Sequence, residues 1–326
     1  MASAARRSDR AAVLARMHVD PRRSAKLALA LATVYLVWGS SFLFTKIGVS
    51  HLPPALFAGV RFTTAGLVLA LVAHRWLGQP WPDAAIEYRD LAVCGVLMVF
   101  ASNGLNVWSI RYLPSHEAAL LNASSALWIA TLGTFGRRGH PLTLGTSISL
   151  GLGFAGTALM LAPGAGSQPQ TLLAKFGVIA GCLAWALGTV YYRNSTTRIA
   201  PLMFVALQMV AGGTLLIATG FLCGEAPRWT LDAPGIVSLA YLTFVSSCLA
   251  YSAYGWLAVN TTPAVVGSYG FVNPAVATFL GWRILHETLT RRQLAGMIVV
   301  IAGVLLLTVN GRGRPLRRPA PQPDVR

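Results

Sequence analysis

The sequence predicts an all-α integral membrane protein, with ten transmembrane helices in two inverted five-helix repeats. Three observations carry that prediction. Of 326 residues, 55% are hydrophobic and only 11% charged, where an ordinary soluble domain carries roughly 25% charged residues. The apolar residues gather into ten runs, at 27–45, 54–73, 91–110, 116–136, 143–162, 174–192, 201–223, 235–258, 263–285 and 293–310. Each is close to the ~20 residues that cross a bilayer. Finally, one offset of 147 residues lays the first half on the second. It places Trp38 on Trp185, Lys46 on Arg193, Phe57 on Phe204 and Gly66 on Gly213, and Ala155-Gly156 on Ala302-Gly303. A constant offset over most of a chain marks a duplicated unit. Five spans per unit is an odd number, so the second unit must sit upside down relative to the first.

The expected organisation is therefore a basic tail (1–26), a first repeat (27–162), a second repeat (174–310) and an Arg- and Pro-rich tail (311–326). The formal charge of +16 does not indicate nucleic acid, because twelve of the 26 Lys and Arg residues lie in the two tails. Polar tails of this kind are expected to be disordered and to rest on anionic lipid. Loop charge sets orientation. With the N-terminus inside, eighteen Lys and Arg fall on the inner side and seven on the outer, which predicts a multi-pass cell-membrane protein with both termini cytoplasmic. The first apolar run is as long as a full span, so a cleavable signal is not expected.

Polar residues inside spans need a partner or a wet cavity. In span 1, Trp38, Ser41 and Thr45 share one helical face. Span 2 carries Arg61, which either binds an anionic group or snorkels outward as an anchor. Span 3 supplies Asn103 and Asn106, and span 4 Asn122 and Ser125. In span 5, Gly145, Ser149, Gly153 and Thr157 make a small-residue seam for close helix packing. Span 6 repeats the theme of span 1 with Trp185, Thr189 and Tyr192. Span 7 has Gln208 at the position equivalent to Arg61, and span 8 has Ser247, Tyr251 and Tyr254. Recurrence of these stripes in corresponding helices predicts one shared central cavity; interhelical hydrogen bonding is the alternative.

Span 9 contains Pro274, which leaves the Gly270 carbonyl without its helical donor. In lipid such a group survives only when buried or lining a path. Gly270 and Pro274 therefore form an expected hinge, flanked by Tyr269 and Asn273, and are either a packing kink or part of a solute route. The first repeat has Ala123 and Leu127 at the matching positions, so span 4 is expected to run straighter and the second half to bend more. Glu287 stands at the end of span 9, where Thr290 and Gln293 form a capping-box pattern that starts span 10.

Catalytic and metal-binding motifs are not found. There is no phosphate-binding Gly-rich loop, no GxSxG and no HExxH. The six His and four Cys do not cluster in the sequence, so no catalytic residue, metal or cofactor is expected.

Trp38-Gly39-Ser40-Ser41 through Lys46, Arg61, Asn273-Pro274, Gly281, Glu287-Thr288-Leu289-Thr290, Gly296 and Ala302-Gly303 together resemble the EamA-type family of the drug/metabolite transporter superfamily. The resemblance covers about residues 27–310. It implies ten helices in two inverted repeats and the movement of small metabolites, often outward. The first repeat departs from the pattern, with Leu127 and His140 where the motif has Pro and Glu. The expected function is transport of a small metabolite by alternating access, in the form of efflux of an amino acid or related compound. The expected partners are that solute and the lipid bilayer, and the sequence leaves oligomeric state open. An integral-membrane enzyme acting on lipid is the alternative, as is a small multidrug-type exporter. The enzyme would need a cluster of acidic or His residues, and the exporter a glutamate in span 1, which has none.

Overall fold

A computed structural model describes residues 21–135, 143–162, 168–261 and 269–311. The expected tails lie mostly outside these residues, as does His140. Ten helical segments follow one another along the described chain. They are α1 (Pro21–His51), α2 (Pro54–Arg75), α3 (Ala85–Ile110), α4 (Ser115–Asn122 and Ser125–Leu132) and α5 (Leu144–Leu161). The second set is α6 (Pro169–Asn194), α7 (Pro201–Leu222), α8 (Ala233–Asn260), α9 (Tyr269–Leu285) and α10 (Arg291–Gly311). Seven are long and apolar enough to cross a membrane. Leu67, Leu71, Leu173, Phe176, Phe221, Phe279 and Ile298 are each more than half exposed on the outer surface. Such a surface is stable against lipid chains, not water.

The duplication is visible in the packing. α2 pairs with α7 and α5 with α10 in the two most extensive helix contacts. In the first pair, a Cβ on Gly66 would stand 2.6 Å from the Ala206 carbonyl, and one on Gly213 would stand 3.1 Å from the Gly59 carbonyl. Ala206 and Gly213 are the 147-residue equivalents of Gly59 and Gly66, so each helix presents the same patch to the other. This is the self-complementary contact of a two-fold axis. The second pair repeats it. Gly156 lies against Val300 and Gly296, and Gly303 against their equivalents Gly153 and Ser149. Three members of the small-residue seam, Ser149, Gly153 and Thr157, are buried.

The two repeats also exchange their first helices. α1 packs on α8 and α9 of the second repeat, while α6 packs on α3 and α4 of the first. Gly39 permits the α1–α9 contact, because a Cβ there would lie 2.5 Å from Val276 Cβ. A further mark of the duplication is a widened, π-helical stretch in the middle of α3 (Gly95–Asn103) and of α8 (Tyr241–Leu249). Shifted by 147 residues, the first overlies the second to within one position.

Three expectations need correction. α1 begins at Pro21 and α3 at Ala85, each six residues ahead of the expected boundary, so α3 takes in Glu87 and Asp90. Helix continuity differs from the expectation of a straighter span 4. α9 is one continuous helix through Pro274, whereas α4 is interrupted at Ala123–Ser124. The cause is local. Ser124 Oγ donates to the Leu121 carbonyl at 2.7 Å and Ser125 Oγ to the Asn122 carbonyl at 2.6 Å. The backbone tightens to three-residue bonds, Ser124 N to Leu121 O (3.1 Å) and Leu127 N to Ser124 O (2.9 Å). Short polar side chains competing for helix carbonyls disrupt a helix in this way.

Candidate substrate cavity

Between the two exchanged helices lies a cavity of about 660 Å³. From α1 it receives Trp38, Ser41, Phe42 and Thr45; from α2, Arg61; from α3, Ser102, Asn103 and Asn106. Asn122 and Ser125 enter from α4, Trp185 and Thr189 from α6, and Ser246, Tyr251 and Tyr254 from α8. Tyr269, Gly270, Asn273 and Pro274 close the α9 side. Fourteen of the seventeen polar and aromatic residues singled out in spans 1–4 and 6–9 are thus brought together, along with both expected hinge residues.

Tyr192, Gln208 and Ser247 are the exceptions, Ser247 being fully buried beside Arg61. On α6 the inward stripe advances by four residues each time, from Trp185 to Thr189 to Arg193. Tyr192 sits beside that stripe and packs on Phe204, with ring centroids 4.4 Å apart. Gln208 is buried in α7, where that helix packs on the π-helical stretch of α3. Arg193, Ser102 and Ser246 were not among the expected lining residues. The four-residue step from Thr189 is the signal that would have found Arg193.

The polar groups are organised by short bonds. Asn122 Nδ2 donates to Asn106 Oδ1 at 2.7 Å, and Asn106 Nδ2 to the Ser102 carbonyl at 3.0 Å. Asn103 Nδ2 donates to the Met98 carbonyl at 2.7 Å, five residues back, a spacing that suits a π-helical turn. Trp38 Nε1 donates to the Ser246 carbonyl at 3.3 Å. Its ring meets those of Tyr251, Tyr254 and Tyr269 at centroid distances of 5.0–5.2 Å. Turned so that its amide nitrogen faces acceptors, Asn273 donates to the Tyr269 and Tyr35 carbonyls at 3.3 Å. Arg61 is only 7% exposed, so it is not snorkelling. Its Nε donates to Ser247 Oγ at 3.1 Å and its Nη2 to Ser246 Oγ at 3.3 Å, with the guanidinium 4.5 Å from the centre of the Phe62 ring.

The two ends of the cavity differ. One end reaches Gly133, Thr134, Thr146 and Arg193, at the ends of α4, α5 and α6 on the face where the chain enters α1. On the opposite face, polar ties hold the helix ends together. Lys46 Nζ, from α1, donates to the carbonyls of Ile110, Arg111 and Leu113 at 2.8–3.2 Å. Glu287, between α9 and α10, accepts from Ser115 N (2.7 Å), Ser115 Oγ (2.8 Å) and His116 N (3.3 Å), and its carboxylate lies 2.7 Å from His116 Nδ1. It thereby caps the first turn of α4. Glu225 accepts from Leu56 N at 2.9 Å at the start of α2, and His51 pairs with Asp232. Lys175 pairs with Glu117 at 2.7 Å.

Backbone geometry sets up the Glu287 contact. α9 ends with His286 at φ +54°, and Glu287 N donates to the Gly281 carbonyl at 3.1 Å, the six-residue reverse bond of a Schellman turn. A Cβ on Gly281 would stand 2.4 Å from Glu287 Oε2, so only glycine lets the carboxylate reach α4. Burial would raise the Glu287 carboxyl, but the hydrogen bonds from His116 and Ser115 outweigh it and pull it down to about 2. The capping box is also present, with Thr290 N donating to Gln293 Oε1 at 2.9 Å and Gln293 N to Thr290 Oγ1 at 3.2 Å.

A duplicated, inverted helix bundle around a polar cavity between the repeats is the build of a transporter. The chain belongs to the EamA-like transporter family, whose pattern matches residues 25–162 and 172–309. It is 30% identical over 285 residues to "Uncharacterized inner membrane transporter YedA" of Escherichia coli (strain K12), covering 86% of this chain and 90% of that one. It is 28% identical to "Uncharacterized transporter YvbV" of Bacillus subtilis (strain 168), with 89% and 93% covered. A more distant relative is "Probable amino-acid metabolite efflux pump" of Escherichia coli (strain K12), 25% identical over 87% of this chain and 94% of that one. A solved crystal structure shares the fold, with a TM-score of 0.62 at 19% identity over 88% of this chain and 98% of the other. The protein is thus a multi-pass membrane transporter, not an enzyme.

Proposed function

We propose that this transporter moves an amino acid or a closely related metabolite out of the cell by alternating access, with both chain termini in the cytoplasm. The observation that carries the reading is the cavity. It joins polar groups from both repeats, is tied shut at one face by Lys46 and Glu287, and runs to the helix ends of the other face. Loop charge assigns that second face to the cytoplasm, so the described state is the one that loads an outward-bound solute. The similarity to a probable amino-acid metabolite efflux pump supports the solute class. Asn106, Asn122 and Thr189 supply both donors and acceptors, while Trp38 and the tyrosines supply an apolar wall.

The test is solute movement in proteoliposomes holding the purified full-length protein. Labelled amino acids and their N-acetyl and hydroxy analogues are offered one at a time, with and without a pH gradient. Saturable, protein-dependent flux of at least one of them is expected. Flux of none, from vesicles whose protein is correctly folded, contradicts the reading.

A further inference from the structure

We propose that Arg61 is the anion-binding point of the cavity, and that the transported solute presents a carboxylate to it. This rests on the transport reading above and narrows its substrate to acids and zwitterions.

Guanidinium is permanently protonated in proteins, and a buried charge is retained only when something compensates it. Arg61 is buried, yet none of the four ion pairs among the described residues involves it. Its two hydrogen-bond partners are serine hydroxyls and its ring partner is Phe62, and none of the three brings a formal negative charge. A guanidinium has five N–H donors, and these bonds use two. The charge of the cavity wall points the same way. Among the described residues that line it, the charged ones are Arg61 and Arg193, and neither Asp nor Glu is present. A low-dielectric cleft of one sign concentrates ligands of the other sign.

The surroundings give the guanidinium a fixed aim. Ser246 and Ser247 both come from the π-helical stretch of α8, and such stretches recur at functional sites. Ser246 also accepts from Trp38 through its carbonyl, so the aromatic wall and the guanidinium share one anchoring residue. A ligand whose carboxylate meets Arg61 therefore lays its body beside Trp38. The second repeat offers no equivalent, since its matching residue is Gln208, which does not line the cavity. At this pair of equivalent positions the charge belongs to the first repeat alone.

The experiment compares acids with their amides on the intact protein in detergent. The probes are isovalerate, benzoate and L-phenylalanine against isovaleramide, benzamide and L-phenylalaninamide, at equal ionic strength set with sodium chloride. At least one acid is expected to raise the Tm of the wild-type protein in a saturable way, while its amide does not. Arg61→Gln should lose that shift, and Arg61→Lys should need about tenfold more acid, because an ammonium does not reproduce a two-point guanidinium contact. No shift by any acid, or equal shifts by acid and amide, overturns the proposal. So does an unchanged shift in a folded Arg61→Gln. Should Arg61→Gln not fold, the wild-type acid-against-amide comparison decides alone. Flux in proteoliposomes without a carboxylate-dependent shift would leave the transport reading standing and remove only this one.

Discussion

Glu287 illustrates how a single side chain decides what an element does. The sequence placed it at a helix end, beside a capping box that does form. What the sequence could not reveal was its partner, because Ser115 and His116 lie more than 170 residues away along the chain. The carboxyl is held down to about 2 from an ordinary value of 4.5. Its folded-state value is depressed, so its contribution to stability is fully present above about pH 4.5 and is lost as pH falls towards 2. Glu287→Ala leaves the first amides of α4 without their acceptor, at a cost of roughly 1–3 kcal/mol. It is expected to lower the Tm in detergent at pH 7, and to lose less on acidification from pH 5 to pH 3 than the wild type does. The check is a pair of Tm–pH profiles; parallel profiles would contradict the cap. The intramembrane polar residues were far more legible than this one. An Asn or Arg in an apolar run carries a cost that has to be met inside the bundle, which is why most of the expected lining residues converge.

At the scale of the element, glycine contacts hold the repeats together. A Cβ at Gly213 would stand 2.5 Å from Thr63 Oγ1 and 2.7 Å from its backbone nitrogen, whereas Gly151 has nothing within 4 Å. Gly213→Val should force α2 and α7 apart and cost on the order of 1–3 kcal/mol or more, and Gly151→Val should be nearly neutral. Thermal melting of the two variants separates a packed seam from a merely small residue; equal melting temperatures would contradict it. The seam on α5 was readable from spacing alone, since small residues at every fourth position form a row. The break in α4 was not. Ser124 and Ser125 look the same in sequence whether they bond across to another helix or back to their own carbonyls. Pro274 lies inside one helix, Tyr269–Leu285. A proline removes one N–H from the helix ladder and leaves the other bonds available.

For the whole molecule, the 147-residue offset reached furthest. It anticipated the duplication; the paired α2–α7 and α5–α10 contacts and the twin π-helical stretches obey the same offset but were not specified by it. The offset does not require the halves to stay equivalent, and they have not. Arg61 faces the cavity and Gln208 does not; α4 is interrupted and α9 is not. In the transport cycle proposed above, this asymmetry assigns solute holding to one half, while the shared architecture serves the opening of each face in turn.

That claim of access from both faces is tested most directly by a single reporter cysteine. Cys94, Cys182, Cys223 and Cys248 are replaced, and Ser41→Cys is introduced in the cavity wall, where the native hydroxyl bonds only its own helix. A membrane-impermeant thiol reagent is applied to right-side-out and to inside-out vesicles. Alternating access predicts modification from either face, faster from the face towards which the described cavity runs, and slowed from both by a transported solute. Modification from one face only, under every condition, would mean that the cavity is a closed-ended pocket and not a path across the membrane.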